Sequence, residues 1–246
     1  MVKEKEDAVR NAHMVSKGYI RAWADKRNVV DVLDLQEGLG YPASYLSATV
    51  VNYVYDPNFL TRNLEHDYSL IENAGTPALV KMRKGVPLTE AEARAVIAFL
   101  DMHFDRGRYA DRTKVRAPAV ALRTDGRIEH TELALGDALL LSQSFQDVLR
   151  LATLGLEQWP WQVLEARGLA TGDGAVLLWR ATDGAKITTV SFPLSPTQLL
   201  VIGDDLPDDV PLNQLLAKNS KRWIVGTKGS LNFSRAAIIA AQRSQK

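Results

Sequence analysis

Cysteine is absent from this chain of 246 residues, which excludes disulfides, thiolate catalysis and cysteine-ligated zinc. The lack fits a reducing compartment, although secreted proteins can also do without cysteine. No apolar run is long enough to cross a bilayer. The opening Met1-Val2-Lys3-Glu4-Lys5-Glu6-Asp7 is highly charged and has no apolar segment, so no secretory signal is expected. Together these absences predict a cytoplasmic protein with no membrane partner. Acidic residues are missing from Val210 to Lys246, where Lys218, Lys221, Arg222, Lys228, Arg235, Arg243 and Lys246 stand.

Hydrophobic residues make up 46% of the chain and charged ones 24%, which is enough apolar matter for a sizeable core. Net charge is only +1, but its distribution is uneven. A second basic run, Arg106, Arg108, Arg112, Lys114 and Arg116, is diluted by Asp111 alone, while residues 129–183 lean acidic. Two readings stay open: a face that binds a polyanion, or a solvated surface balancing the acidic middle.

Helical periodicity is strongest at 61–84 and 89–108, separated by the turn Gly85-Val86-Pro87-Leu88. So short a connection predicts an antiparallel helix hairpin. Leu64, Tyr68, Ile71, Ala78 and Met82 form the apolar stripe of the first helix, and Gly75-Thr76-Pro77 is expected to kink or restart it. Thr89 and Glu92 open the second as a capping box. A helix over 15–24, a strand over 29–33 and a third long helix over 137–153 are predicted, with irregular chain over 37–58, within which 45–55 is open to short strands. Past Gly155, strands are expected at 161–165, 175–179, 186–192, 199–202 and 222–225, a short helix at 212–218 and a basic helix at 233–242. Helices gather early and strands late. The fold class is therefore α+β: a helical part to about residue 155, with its hairpin packed on a mostly antiparallel sheet from the C-terminal half. A single domain over 1–246 is expected.

Counting outward from the turn places Glu72 level with His103 and Glu65 level with Arg106. Carboxylates at the border of an apolar stripe are half-buried, where pKa values shift. An imidazole, a guanidinium and two acids suit general acid–base work on an anionic substrate. They equally suit inter-helical polar pairs that satisfy one another.

The order of short motifs resembles a bacterial family catalogued as domain of unknown function 4238. The resemblance rests on His13-Met14-Val15-Ser16-Lys17-Gly18-Tyr19-Ile20-Arg21-Ala22-Trp23, then Leu64-Glu65 with Ile71-Glu72, then Phe99-Leu100-Asp101-Met102-His103-Phe104-Asp105-Arg106. It continues through Thr171-Gly172-Asp173-Gly174-Ala175, Phe192-Pro193-Leu194-Ser195-Pro196 and Leu212-Asn213, to Ser220 and Arg222-Trp223. The family usually carries glutamine where this chain has His103, and the Asp173 element keeps only the threonine and aspartate of the family pattern. The resemblance implies one cooperative domain and supplies no activity.

Two functions from different classes follow as expectations. The first is a hydrolase acting on nucleic acid or nucleotides, nuclease-like, with a toxin or defence role by analogy alone. Its catalytic set would be His13, Glu65, Glu72, His103, Arg106 and Asp173, with Mg²⁺ or Mn²⁺ as candidate ions on the carboxylates and imidazole. Lys218, Lys221, Arg222 and Lys228 would bind the polyanion. The second is a non-catalytic protein that binds nucleic acid or a partner, its polar quartet purely structural.

Overall fold

The computed structural model describes residues 11–52, 64–143, 145, 148–207 and 209–234. The elements in chain order are β1 (Asn11–His13), α1 (Lys17–Ile20), β2 (Val29–Asp34), β3 (Leu39–Ser44), β4 (Val50–Asn52), α2 (Leu64–Arg83), α3 (Glu90–Arg108), β5 (Ala117–Leu122) and β6 (Ile128–Leu133). There follow α4 (Leu135–Ser142), β7 (Trp161–Glu165), β8 (Thr171–Gly172), β9 (Leu177–Arg180), β10 (Ile187–Ser195), β11 (Gln198–Gly203), α5 (Leu212–Asn219) and β12 (Trp223–Thr227). Every strand pairing among the described residues is antiparallel. The two long helices lie early and most strands late, as an α+β fold requires.

Two four-stranded sheets carry the architecture, ordered β7-β11-β10-β9 and β3-β2-β12-β8. Two ribbons, β1-β4 and β5-β6, complete the set. The second sheet draws β2 and β3 from the N-terminal half, so strands are not confined to the later part. Strand β2 pairs with β12 in register Val32↔Val225, and its Val30, Val32 and Leu33 are buried. Strand β3 contains Gly40 and Pro42, which argue against a central strand. It takes the edge of its sheet, where a missing N–H costs no ladder bond. Pro193 is tolerated in β10 for a related reason: the β9 ladder stops at Ser191, before the proline is reached.

The hairpin forms as its periodicity predicts. Thr89 Oγ1 accepts from Glu92 N at 3.3 Å, and Glu92 Oε2 accepts from Thr89 N at 2.9 Å, closing the capping box. The expected interruption at 75–77 does not break α2, which runs through Pro77. Gly75 serves packing instead: a Cβ there would lie 2.7 Å from the Phe99 Cβ, so its absence lets α3 approach.

The expected third long helix is a correction. Helix α4 ends at Ser142, and among the described residues only a short 3₁₀ turn, Leu151–Thr153, follows within the predicted range. The ribbon β5-β6 fills a stretch for which no element is predicted. Of the expected basic helix at 233–242, only its first two positions fall among the described residues. The first turn of the helix predicted from Thr61, and the end of the stretch 45–55, also lie outside them.

One continuous apolar core takes members from both halves, from Ala12 through Tyr19, Leu64 and Phe99 to Phe192 and Val225. The N-terminal motif is its hub. Tyr19 Oη lies 2.6 Å from Thr171 Oγ1 and donates to Pro193 O at 2.7 Å, while Trp23 Nε1 donates to Leu169 O at 2.7 Å. Both rings are fully buried, so their polar atoms must find partners, and the late strands supply them.

Candidate functional site

Helix α2 presents Glu65, Tyr68 and Glu72 at i, i+3 and i+7, a single face. Across the hairpin, α3 projects Arg106 onto that face. Its Nη1 donates to Glu72 Oε1 at 2.6 Å, its Nη2 lies 4.0 Å from Glu65 Oε2, and its guanidinium carbon sits 4.3 Å from the Tyr68 ring centroid. The Arg106 side chain is 2% exposed, those of Glu65 and Glu72 about a fifth. One cation therefore serves two half-buried carboxylates.

The pairing differs from the level count by one turn. Glu72 meets Arg106, not His103. Helical side chains lean toward their own N-terminus, and on α3 that direction runs back toward the connecting turn and so from Glu65 toward Glu72. A side chain as long as arginine's spans the difference.

His13, at the end of β1, joins this group electrostatically: Glu72, Arg106 and Lys17 all act on its ring. It is half-buried, and burial holds its pKa below the ordinary histidine range. Its Nε2 is 3.0 Å from the Leu46 carbonyl. A carbonyl only accepts, so Nε2 carries the proton and Nδ1 keeps a free lone pair in the neutral ring. Glu65 shifts in the opposite sense. Burial pushes its carboxyl up, Arg106 offsets part of that, and Glu72 adds to it. Its buried Oε2 has no hydrogen-bond partner among the described residues.

His103 feels the Arg106 charge but makes its contacts elsewhere, and Asp173 does not join the cluster. His103 is 2% exposed, stands among Tyr19, Phe99 and Phe192, and donates from Nε2 to Gly172 O at 2.9 Å. Burial lowers its pKa to about 4. Asp173 caps the entry to β12, accepting from the backbone N of Lys221 at 2.6 Å, of Arg222 at 3.3 Å and of Trp223 at 2.5 Å. Burial pushes its carboxyl up to about 6 against the pull of those bonds. The two residues lie on either side of one close contact. At Gly107 of α3 a Cβ would fall 2.1 Å from Asp173 O, so only glycine lets the helix cross this loop. Both are fold determinants here, a correction to their placement among catalytic residues. The expected divalent-ion set is dispersed with them: among the described residues no three carboxylate or imidazole side chains are grouped as metal ligands.

The four expected polyanion contacts divide as well. Lys218, Lys221 and Lys228 are exposed. Lys221 and Lys228 flank β12, whose five residues span roughly 16 Å at about 3.3 Å each. Arg222 is buried: its Nε donates to Asp34 Oδ2 at 3.1 Å and its Nη1 to Thr113 Oγ1 at 3.0 Å. His66 and His130 are exposed, as surface residues should be. Tyr68 went unread as a site residue, although its place between Glu65 and Glu72 on one face was legible. Thr113 carries no motif at all.

No curated protein and no solved structure matches the chain. A family model does, over residues 11–145, a span that holds the whole hairpin, His13 and the Arg106 cluster; the chain accordingly belongs to that family, described as proteins of unknown function, DUF4238.

Proposed function

We propose that this protein is a hydrolase acting on nucleic acid or nucleotides, with His13, Glu65 and Glu72 at its catalytic centre and Arg106 as the residue that positions them. One observation carries the reading: two half-buried carboxylates, Glu65 and Glu72, face one buried guanidinium whose charge also reaches the His13 imidazole. Burial lowers the pKa of the His13 imidazole and raises that of the Glu65 carboxyl, so a neutral base and a protonated acid overlap in pH. The His13 Nδ1 lone pair takes a proton from the attacking water, and the protonated Glu65 gives one to the leaving oxygen. Arg106 is too enclosed to grip substrate; it orients Glu72 by a short charge-assisted bond. The exposed Lys218, Lys221 and Lys228 supply positive field for a polyanion.

A second reading, a non-catalytic binding protein, is favoured by the same enclosure. A close Arg–Glu pair inside a helix hairpin suffices as structure, and the basic residues bind without chemistry.

Incubating the purified chain with RNA, DNA and nucleotides, with and without Mg²⁺ or Mn²⁺, separates the two. The hydrolase reading expects product that falls by about a hundredfold or more in Glu65→Gln/Glu72→Gln while substrate binding persists. No product, or equal product from the variant, leaves the binding protein.

A further inference from the structure

The loop from α3 to β5, strand β4 and the residue before β12 border an open pocket of about 550 Å³, lined by Val50, Val51, Thr113, Lys114, Arg116 and Arg222. Among the described residues its lining carries three cations and no carboxylate, in a size range suited to a small ligand. We infer that this pocket binds the terminal phosphate of a nucleotide or of a nucleic-acid strand.

Arg222 is the built part of the site. Asp34 holds its Nε, Thr113 holds its Nη1, and its guanidinium carbon lies 4.3 Å from the Trp223 ring centroid. Its orientation is therefore set before any ligand arrives, which removes an ordering cost from binding. The remaining amino group, Nη2, has no hydrogen-bond partner among the described residues. Thr113 Oγ1 accepts from Arg222, so the hydroxyl proton is left to donate.

Lys114 and Arg116 stand exposed on the adjoining loop. Lys114 is paired loosely with Glu37 at 3.7 Å, both side chains at least half exposed, and such a pair exchanges readily for a stronger anion. Asp34 neutralises one of the three lining charges, and two positive charges remain once the ligand displaces Glu37 from Lys114. That balance suits a dianionic phosphate better than a monoanionic carboxylate, and a guanidinium beside a hydroxyl offers the directed donors that phosphate oxygens accept. Val50 and Val51 give the rest of the ester an apolar wall.

The inference deepens the proposed function by naming the anion, and rests on that reading only for the substrate class. Its test is binding, so it can fail or hold apart from turnover. The intact chain is titrated by calorimetry with inorganic phosphate, adenosine, adenosine 5′-monophosphate, and one oligodeoxynucleotide with and without a 5′-phosphate. Saturable binding of the monophosphate but not of adenosine is expected, weakening as salt rises. Arg116→Glu and Lys114→Glu, both exposed and away from the core, should each weaken it by about tenfold or more with unchanged near-ultraviolet circular dichroism. A preference for the 5′-phosphorylated oligonucleotide over the monophosphate identifies a strand end as the source; the reverse identifies a free nucleotide. Equal binding of adenosine and its monophosphate, oligonucleotide binding indifferent to the 5′-phosphate, no saturable binding of any probe, or full affinity in Arg116→Glu overturns the inference. Loss of turnover in the glutamate variants does not bear on it.

Discussion

Arg106 donates to Glu72 at 2.6 Å across the helix hairpin and lies 4.0 Å from Glu65, so one enclosed guanidinium holds two carboxylates apart and in place. The three charges leave a net negative cluster, relieved by Lys17 and tuned by the burial of Glu65. Removing the cation strands both acids in a half-buried site. Arg106→Ala is expected to destabilise the chain by about 3–5 kcal/mol at neutral pH, the range for breaking an enclosed ion pair. Without Arg106 the Glu65 carboxyl, already raised by burial, holds its proton to higher pH in the folded than in the unfolded chain. The deficit should therefore shrink as pH falls and Glu65 neutralises. Urea unfolding of both chains at pH 8 and at pH 5 measures this; a deficit that grows at low pH contradicts it.

His103 offers a second handle on acid stability. Its folded-state pKa of about 4 lies below the ordinary value of 6.5, because burial disfavours the imidazolium. A depressed histidine contributes stability that is fully present above the unfolded pKa and is lost as pH falls toward the folded one. The window is therefore from about 6.5 down to about 4, and the loss is about 3 kcal/mol at its foot. His103→Gln keeps a donor for the Gly172 carbonyl and removes the titration. Its stability should fall less steeply than the native chain's between pH 7 and 4.5, as read from unfolding midpoints. Parallel slopes would show that the carboxylates alone govern acid unfolding.

The hairpin was legible because its signals agree: helical spacing, a four-residue connection and the Thr89–Glu92 box all point one way. Ribbon β5-β6 was not, because it lacks a buried face. Val120, Leu122 and Ile128 are 66%, 75% and 68% exposed, so the alternation that betrays a half-buried strand has nothing to register. In the site, the Glu65–Arg106 pairing followed from counting residues outward from the turn. The shift of Arg106 to Glu72 depends on side-chain length and lean, which spacing does not encode. His103 and Asp173 look like catalytic residues in a sequence because their partners there are invisible. Those partners are backbone atoms, the Gly172 carbonyl and the amides of Lys221, Arg222 and Trp223.

Asp173 joins the loop after β8 to the start of β12 through three backbone amides, and its loss leaves those donors buried without an acceptor. At about 1–3 kcal/mol for each unsatisfied group, partly recovered by relaxation, Asp173→Ala should cost about 3–5 kcal/mol. Asp173→Asn keeps one carbonyl oxygen but turns an amino group toward the donors, so its loss should be intermediate. Amide exchange at Lys221, Arg222 and Trp223 provides the local readout. Those amides should lose protection beyond the drop in global stability in the alanine variant, and a purely global loss would assign the cap no special part.

The proposed acid–base roles fix the form of the pH–rate profile. Turnover requires His13 neutral, so activity falls on the acid side as the ring protonates. It also requires Glu65 protonated, so activity falls on the alkaline side as the carboxyl ionises. Burial moves the two values toward each other from the ordinary histidine and glutamate ranges, which places the maximum in mildly acidic solution. Replacing Glu65 by glutamine removes the group behind the alkaline limb. What activity survives in Glu65→Gln should then stay level above the optimum while still falling below it. In His13→Gln the opposite limb should disappear. A profile that keeps both limbs in both variants would take the proton transfers away from these two residues, whatever else the cluster around Arg106 holds together.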